Sequence, residues 1–208
     1  MKKSKLLLED SIETDGVNVY KRGRLIYSPL ITSSKKKFSL LVLYARNFDL
    51  DKLFEVVNNF SVDFVYDIVV VLSKSDLQKN FSLLGGLDAK IVICPDPEDV
   101  LYASLKAGLR AVSNQTDFLV LHFGNLSNVS KETFIQICSF AEISGSIMTI
   151  PTFQGKKGHP VVFKKTLLPE LMALRKEKGL PYLMRKFAKD ISVVAVSDDS
   201  ILRKNSIE

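Results

Sequence analysis

The sequence predicts an α/β fold of three layers, with helices on both faces of a mostly parallel sheet. Two observations carry this. Strand-like segments come as continuous apolar runs, with no alternation of polar and apolar residues, and helix-like segments of ten or more residues separate them. A strand covered on both faces has no solvent side to mark with polar residues. Strand–helix–strand repetition in turn implies parallel neighbours joined by right-handed crossovers.

The elements follow in order. Residues 1–37 read as an N-terminal appendage. VNVYKRGRLIYSPLI holds two β-rich runs around Lys21-Arg22-Gly23, a hairpin signal with glycine at the turn, and TSSKKK (32–37) is a polar linker. Residues 38–208 form the main domain. FSLLVLYA (38–45) is its first buried strand and DKLFEVVNNF (51–60) its first helix, with apolar residues three and four apart. DIVVVLS (67–73), rich in β-branched residues, and KIVICPD (90–96) are the next strands. EDVLYASLKAGLRAVSN (98–114) returns to helical spacing. DFLVLHF (117–123), the helix KETFIQICSFAEIS (131–144) and SIMTIPTF (146–153) complete the repeat.

Composition narrows the function classes. With 46% hydrophobic and 25% charged residues over 208 positions, the chain can bury a core in one large domain. The longest apolar runs, such as IVVVL (68–72), fall far short of the roughly 18 residues a membrane span needs. MKKSKLLLEDSIE has too short an apolar stretch for a signal peptide, and an acidic pair follows it. Cys94 and Cys138 have no metal-ligand spacing and make no disulfide framework, so a reducing cytoplasm is the expected setting. The net charge of +6 sits in scattered clusters, Lys2-Lys3, Lys35-Lys36-Lys37, Lys156-Lys157 and Arg203-Lys204. No aromatic alternation links them, so nucleic acid is not an expected partner.

Open parallel sheets bind ligands beyond the carboxyl ends of their strands. That rule directs attention to residues just after Ala45, Ser73, Asp96, Phe123 and Phe153. Two of these places are unusual. After Phe123 stands Gly124-Asn125, an amide where an α/β enzyme commonly carries an acid. After Phe153 comes GKKGHP (155–160), in which glycines bracket Lys156-Lys157 and Gly158-His159-Pro160 leads into the apolar VVF. Glycines allow close backbone approach to a ligand, lysines attract phosphate, and a following proline fixes the direction of His159. An ordinary hairpin with solvated lysines fits the same string.

GKKGHPVVFKKTLLPEL (155–171) resembles the segment G-(R/K)-x-G-H-P-(V/I)-(L/V)-F-x-x-x-L-x-P-E-L of the MobA-like nucleotidyltransferases, nearest to the MocA-type branch. ASLKAGLRAV (103–112) is similar to that family's S-L-x-x-G-L helix start, which brings Ser104 and Leu105 among the candidate ligand-binding residues. LVLHFGNLSNVSKETF (119–134) aligns with L-V-L-x-G-D-(M/Q)-P-x-V-(S/T)-x-E-T, and DDSILRKNSIE (198–208) with the closing D-D-x-x-x-L-x-D-I-D-T-P-E. The resemblance spans about 38–208. It implies a GT-A-like, Rossmann-like nucleotide-diphospho-sugar-transferase fold, and Mg²⁺-dependent transfer of a nucleotide to a phosphate, in the MocA branch that of molybdenum cofactor.

The sequence departs from that pattern where the metal would bind. The two metal-holding aspartates of the family fall on Asn125 and Asn205, and the first aspartate of D-I-D-T falls on Arg203. The family's glycine-rich phosphate loop is missing: FSLLVLYARNFDLDKLFEVV passes from strand to helix through Arg46 to Leu50, with Arg46 and Lys52 its only basic residues. Cys94 to Asp99 replace the usual residues before the S-L-x-x-G-L helix. Metal stabilisation of a transferring phosphate is worth several kcal/mol, and each roughly 1.4 kcal/mol is tenfold in rate, so these losses together predict many orders of magnitude less transfer.

The expected function is therefore a catalytically impaired member of that family. It would bind a nucleotide or phosphorylated ligand through Gly124, Asn125, Lys156, Lys157, Gly158, His159 and Pro160, or associate with a protein partner or a second copy of itself, without a cofactor. The alternative is an active Mg²⁺-dependent cytidylyl- or guanylyltransferase with a rearranged site, in which Asp198, Asp199 or Asp96 would hold the metal.

Overall fold

The computed structural model describes residues 12–14, 19–21, 24–27, 36–44, 48–94, 100–126, 129–175 and 179–202. Near the N-terminus, β1 (Ile12–Thr14), β2 (Val19–Lys21) and β3 (Arg24–Tyr27) form an antiparallel sheet of their own, in which β2 and β3 make the hairpin expected around residue 22. The expected linker, residues 32–37, lies outside the described residues up to position 35.

The main sheet begins with β4 (Phe38–Leu43), every residue of which is buried. The chain continues through α1 (Leu50–Phe60), β5 (Val65–Leu72), α2 (Lys74–Leu84), β6 (Lys90–Ile93), α3 (Val100–Ala111) and β7 (Phe118–Phe123). Then come α4 (Lys131–Ser144), β8 (Met148–Phe153), the two-residue β9 (Lys156–Lys157), β10 (Val161–Lys164), α5 (Leu168–Met172), α6 (Leu180–Lys186) and β11 (Ile191–Ala195). Across the sheet the order is β11-β8-β10-β7-β4-β5-β6, with β9 paired to β8. Only β9 and β10 run against the rest.

Local chemistry places the helix starts. Asp49, Ser73 and Ser130 cap α1, α2 and α4, their side chains accepting the backbone N–H of Lys52, Asp76 and Thr133. Gly145, with φ of 66°, ends α4 in the left-handed conformation that favours glycine. In α1, Leu53, Val56, Val57 and Phe60 recur at helical spacing and all are buried against one face of the sheet.

The core divides at the sheet. One face carries Phe38, Leu40, Val42, Ile68, Val70 and Val120 under α1, α2 and α4, with Phe60 and Phe134 stacked at 4.2 Å. The other carries Leu41, Leu43, Val69, Val71, Leu119 and Leu121 under α3, α5 and α6.

This division corrects one expectation. The step β4–α1–β5 moves towards β6, whereas β7–α4–β8 moves towards β11, yet α1 and α4 lie on the same face. Two such crossovers must have opposite hands. The α1, α2 and α3 connections are mutually consistent with the usual right-handed rule, so α4 is the exception. Its crossover skips over the antiparallel β10, and Phe134 in its first turn stacks on Phe60 of α1.

Candidate functional site

The carboxyl ends of the parallel strands lie together at one edge of the sheet. At the tip of β7 the ladder continues one residue past the strand, Gly124 donating its N–H to the Leu43 carbonyl at 3.0 Å. Asn125 follows in the turn, with an exposed side chain. Gly124 is buried beneath the ring of Tyr44: a Cβ there would stand 1.9 Å from Tyr44 Cε2. No other residue type fits unless the ring moves.

The β8 tip turns back through Gln154 and Gly155, both at positive φ, into Lys156-Lys157, which pair with Phe153 and Thr152. Both lysines are exposed, so this much is the ordinary hairpin that the sequence also allowed. Its height is informative. Thr149 lies level with Val162 and Val162 with Val120, which puts Phe153, and so Lys156, level with Gly124. Lys156 thus stands in the lane between β8 and β7, at the height of Gly124.

After the hairpin the chain is held firmly. Gly158 donates to the Pro151 carbonyl, and His159 donates its backbone N–H to the Ile201 carbonyl, both at 2.9 Å. A Cβ at Gly158 would meet that same Ile201 oxygen at 2.5 Å. His159 precedes a cis peptide to Pro160, and its ring sits edge-on to Phe123 at 4.8 Å. The fold therefore brings Gly124, Asn125, Lys156 and His159 to one edge.

Other candidates go elsewhere. Ser104 and Leu105 are buried on α3 and face the sheet, Leu105 within the core, where neither meets solvent. Among the described residues, Ser104 Oγ has no hydrogen-bond partner. Asp198, one substitute metal ligand, is already occupied. Its carboxylate accepts the Ser130 N–H at 3.2 Å, the Ser200 N–H at 3.0 Å and the Ser200 hydroxyl. Burial acts to raise its pKa, but these hydrogen bonds outweigh burial and hold it below the usual value. Asp199 is exposed one residue on. Lys52 is engaged with its own cap, its ammonium 3.6 Å from the Asp49 carboxylate. Arg46, Asp96, Arg203 and Asn205 lie outside the described residues.

Magnesium prefers anionic oxygens in octahedral array, whereas among the described residues the β7 tip offers a neutral amide and the Asp198 carboxylate already accepts three hydrogen bonds from the chain. Among the described residues, no three His, Cys, Asp or Glu side chains gather as a metal site.

One residue escaped the sequence reading. His122, just below the β7 tip, is fully buried, edge-on to Phe60 at 5.3 Å, with both ring nitrogens lacking a partner among the described residues. Burial, with a smaller contribution from His159, pushes its pKa down to about 3. The signal was available: a histidine inside the otherwise apolar DFLVLHF.

No curated protein matches the chain in sequence. Solved structures share the fold. Rv0371c of Mycobacterium tuberculosis, in complex with manganese, superposes with a TM-score of 0.63 at 20% identity, covering 78% of this chain and 89% of that one. The 4-diphosphocytidyl-2C-methyl-D-erythritol synthase of Anaerococcus prevotii gives 0.62 at 18%, covering 83% and 92%. A Methanothermobacter nucleotidyl transferase gives 0.62 at 20%, covering 83% and 93%. At identities this low, the TM-scores show a shared fold, the GT-A-like sheet with helices on both faces. The sequence model of the MobA-like NTP transferase domain matches residues 50–192, and the chain belongs to that family.

Proposed function

We propose that this chain is a MobA-like domain impaired in metal-dependent transfer that holds a phosphate-bearing ligand at the β7–β8 tips. One observation carries the reading: an exposed amide, Asn125, stands at the strand tip while the nearby Asp198 carboxylate is fixed by Ser130 and Ser200. Lys156 and Lys157 supply positive charge level with that tip, and His159 flanks Phe123 beside it. Such a site attracts an anion without an ion to organise it. The resemblance to the molybdenum-cofactor branch makes a pterin phosphate the first organic ligand to test, beside CTP and GTP. Association with an enzyme that handles such a compound, or with a second copy of the chain, belongs to the same reading.

Calorimetry with pyrophosphate, CTP, GTP and a pterin phosphate, with and without Mg²⁺, tests it. Binding of at least one phosphate compound, unchanged by Mg²⁺ and without release of pyrophosphate from CTP or GTP, is the expected result. Mg²⁺-dependent binding with turnover would establish the competing reading, an active nucleotidyltransferase in which Asp199 or a residue outside the described set holds the metal.

A further inference from the structure

We infer that β6, an edge strand of the central sheet, pairs antiparallel with β6 of a second copy, joining two sheets into one with both α2 helices on the same face. The inference rests on the self-association named in the reading above and needs no ligand at the strand tips.

β6 ends the sheet and, among the described residues, is paired on one side alone, to β5. Cys94, just past its end, donates its N–H inward to the Leu72 carbonyl at 2.7 Å. Successive residues of a strand turn their backbone groups to opposite sides, so Ile91 and Ile93 turn theirs outward. Such an edge is a template for another strand unless a proline, a bulge or an outward charge guards it. β6 has no proline and no register shift against β5. Lys90, its one charged residue, turns its ammonium back to the Asp67 carboxylate at 2.9 Å.

Side chains are uncovered at the same edge. Ile93 lies level with Leu72, which belongs to the core under α1, α2 and α4, so Ile93 is on that face, and it is 45% exposed. On α2, Leu77, Phe81 and Leu84 follow at intervals of four and three and so share a side. Leu84 is buried and Leu77 packs on the core, yet Phe81 between them is 72% exposed. The sheet ends one strand short of covering it.

The missing strand is supplied by the edge itself. Ile91 and Ile93 flank Val92 evenly, so a two-fold axis through Val92, normal to the sheet, sets Ile91 of each copy opposite Ile93 of the other. The outward N–H and C=O groups of these residues then pair in full. The same axis leaves both α2 helices on one face, where Phe81 of each gains a strand beyond β6. An edge strand alone buries too little for a dimer. Phe81 adds on the order of 150 Å² from each copy, which places the contact in the smaller class, under about 1,200 Å² in total. β5 and β4 stand between β6 and β7, so the tips of β7 and β8 stay open in the dimer.

The test is sedimentation of wild type, Phe81→Asp and Ile93→Lys, after thermal melts establish that each folds. Wild type is expected to pass from monomer towards dimer as concentration rises from about 10 to about 300 µM, and each variant to associate at least about tenfold more weakly, equivalent to about 1.4 kcal/mol. Where a variant does not fold, Phe81→Ser or Ile93→Thr takes its place. Val92→Cys in a Cys94→Ser background is expected to form a covalent dimer on oxidation, because directly opposed residues of this kind lie about 4.5 Å apart at Cα, within disulfide reach. A wild type that stays monomeric throughout would overturn the pairing, as would a dimer that both substitutions leave at full strength. A dimer weakened by both but never crosslinked at position 92 would overturn the strand-to-strand register. Pyrophosphate calorimetry decides the anion-holding reading separately, whichever way the dimer falls.

Discussion

Two regions of the central sheet, the cluster around Asp67 and the surroundings of His122, treat buried polar groups in opposite ways. At the amino edge, the nearly buried Asp67 is satisfied on both oxygens: the Ser39 hydroxyl donates to one, and Lys90 Nζ at 2.9 Å and the Ser113 N–H at 3.1 Å donate to the other. Thr116 completes the chain through Ser39. Towards the carboxyl edge, His122 is fully buried with neither nitrogen paired among the described residues, and so is the Ser104 hydroxyl. Ser104 lies one turn before Gly108, which rests on Leu41 and Val71, and therefore nearer the strand tips. A satisfied buried network fixes a structure, while an unsatisfied buried group lowers stability. The Asp67 network is thus built for folding, whereas His122 and Ser104, like the buried Thr149 hydroxyl in the amino half of β8, are polar groups without a partner among the described residues.

The largest effect tests the Asp67 cluster. Asp67→Ala strands Ser39, Thr116 and the Ser113 amide together, and is expected to lower stability by about 3 kcal/mol. The Lys90 contact adds little to this, since its side chain is 53% exposed and water screens it. Urea denaturation reads the change. A loss under about 1 kcal/mol would mean that the network is not what ties β4, β5 and β7 together at this edge.

His122→Leu tests the other region and should act in the opposite direction. Removing two unpaired nitrogens is expected to raise stability by about 1 kcal/mol at pH 7. The gain should grow in acid. His122 has its pKa lowered from 6.5 to about 3 in the fold, so between those values the unfolded chain binds a proton that the native state refuses. Stability of the wild type is then complete above pH 6.5 and falls as pH drops towards 3, by up to about 1.4 kcal/mol per unit from this residue. The variant lacks that component. If His122→Leu instead destabilises, the imidazole has a native partner and the contrast between the regions fails.

What could be read from residues alone follows the same division. β4 and β7 were legible because their apolar runs are continuous and both faces are covered. α2 was not singled out: Leu84 is its one buried residue, and KSDLQKNFSLL shows little periodicity. The hand of the α4 crossover depends on which face a helix chooses, which no local pattern encodes. At the site, Asn125 could be located by the strand-tip rule. The covering of Gly124 by Tyr44 joins positions eighty residues apart, and Asp198 looked available because its bond to Ser130 spans sixty-eight.

The smallest effect on stability is the most informative about function. Lys156 and Lys157 are exposed on a hairpin whose turn is set by Gln154 and Gly155, and no core residue leans on their charge. Lys156→Ala with Lys157→Ala should leave stability within about 0.5 kcal/mol of wild type. Pyrophosphate affinity should nonetheless fall about tenfold or more, with a weaker dependence on salt, because two of the charges that attract the anion are gone. His122→Leu should show the reverse: changed stability and unchanged pyrophosphate affinity, since the buried ring does not reach the surface of the site. Loss of binding in His122→Leu together with full binding in the lysine variant would move the ligand away from the β8–β9 hairpin and beneath the β7 tip.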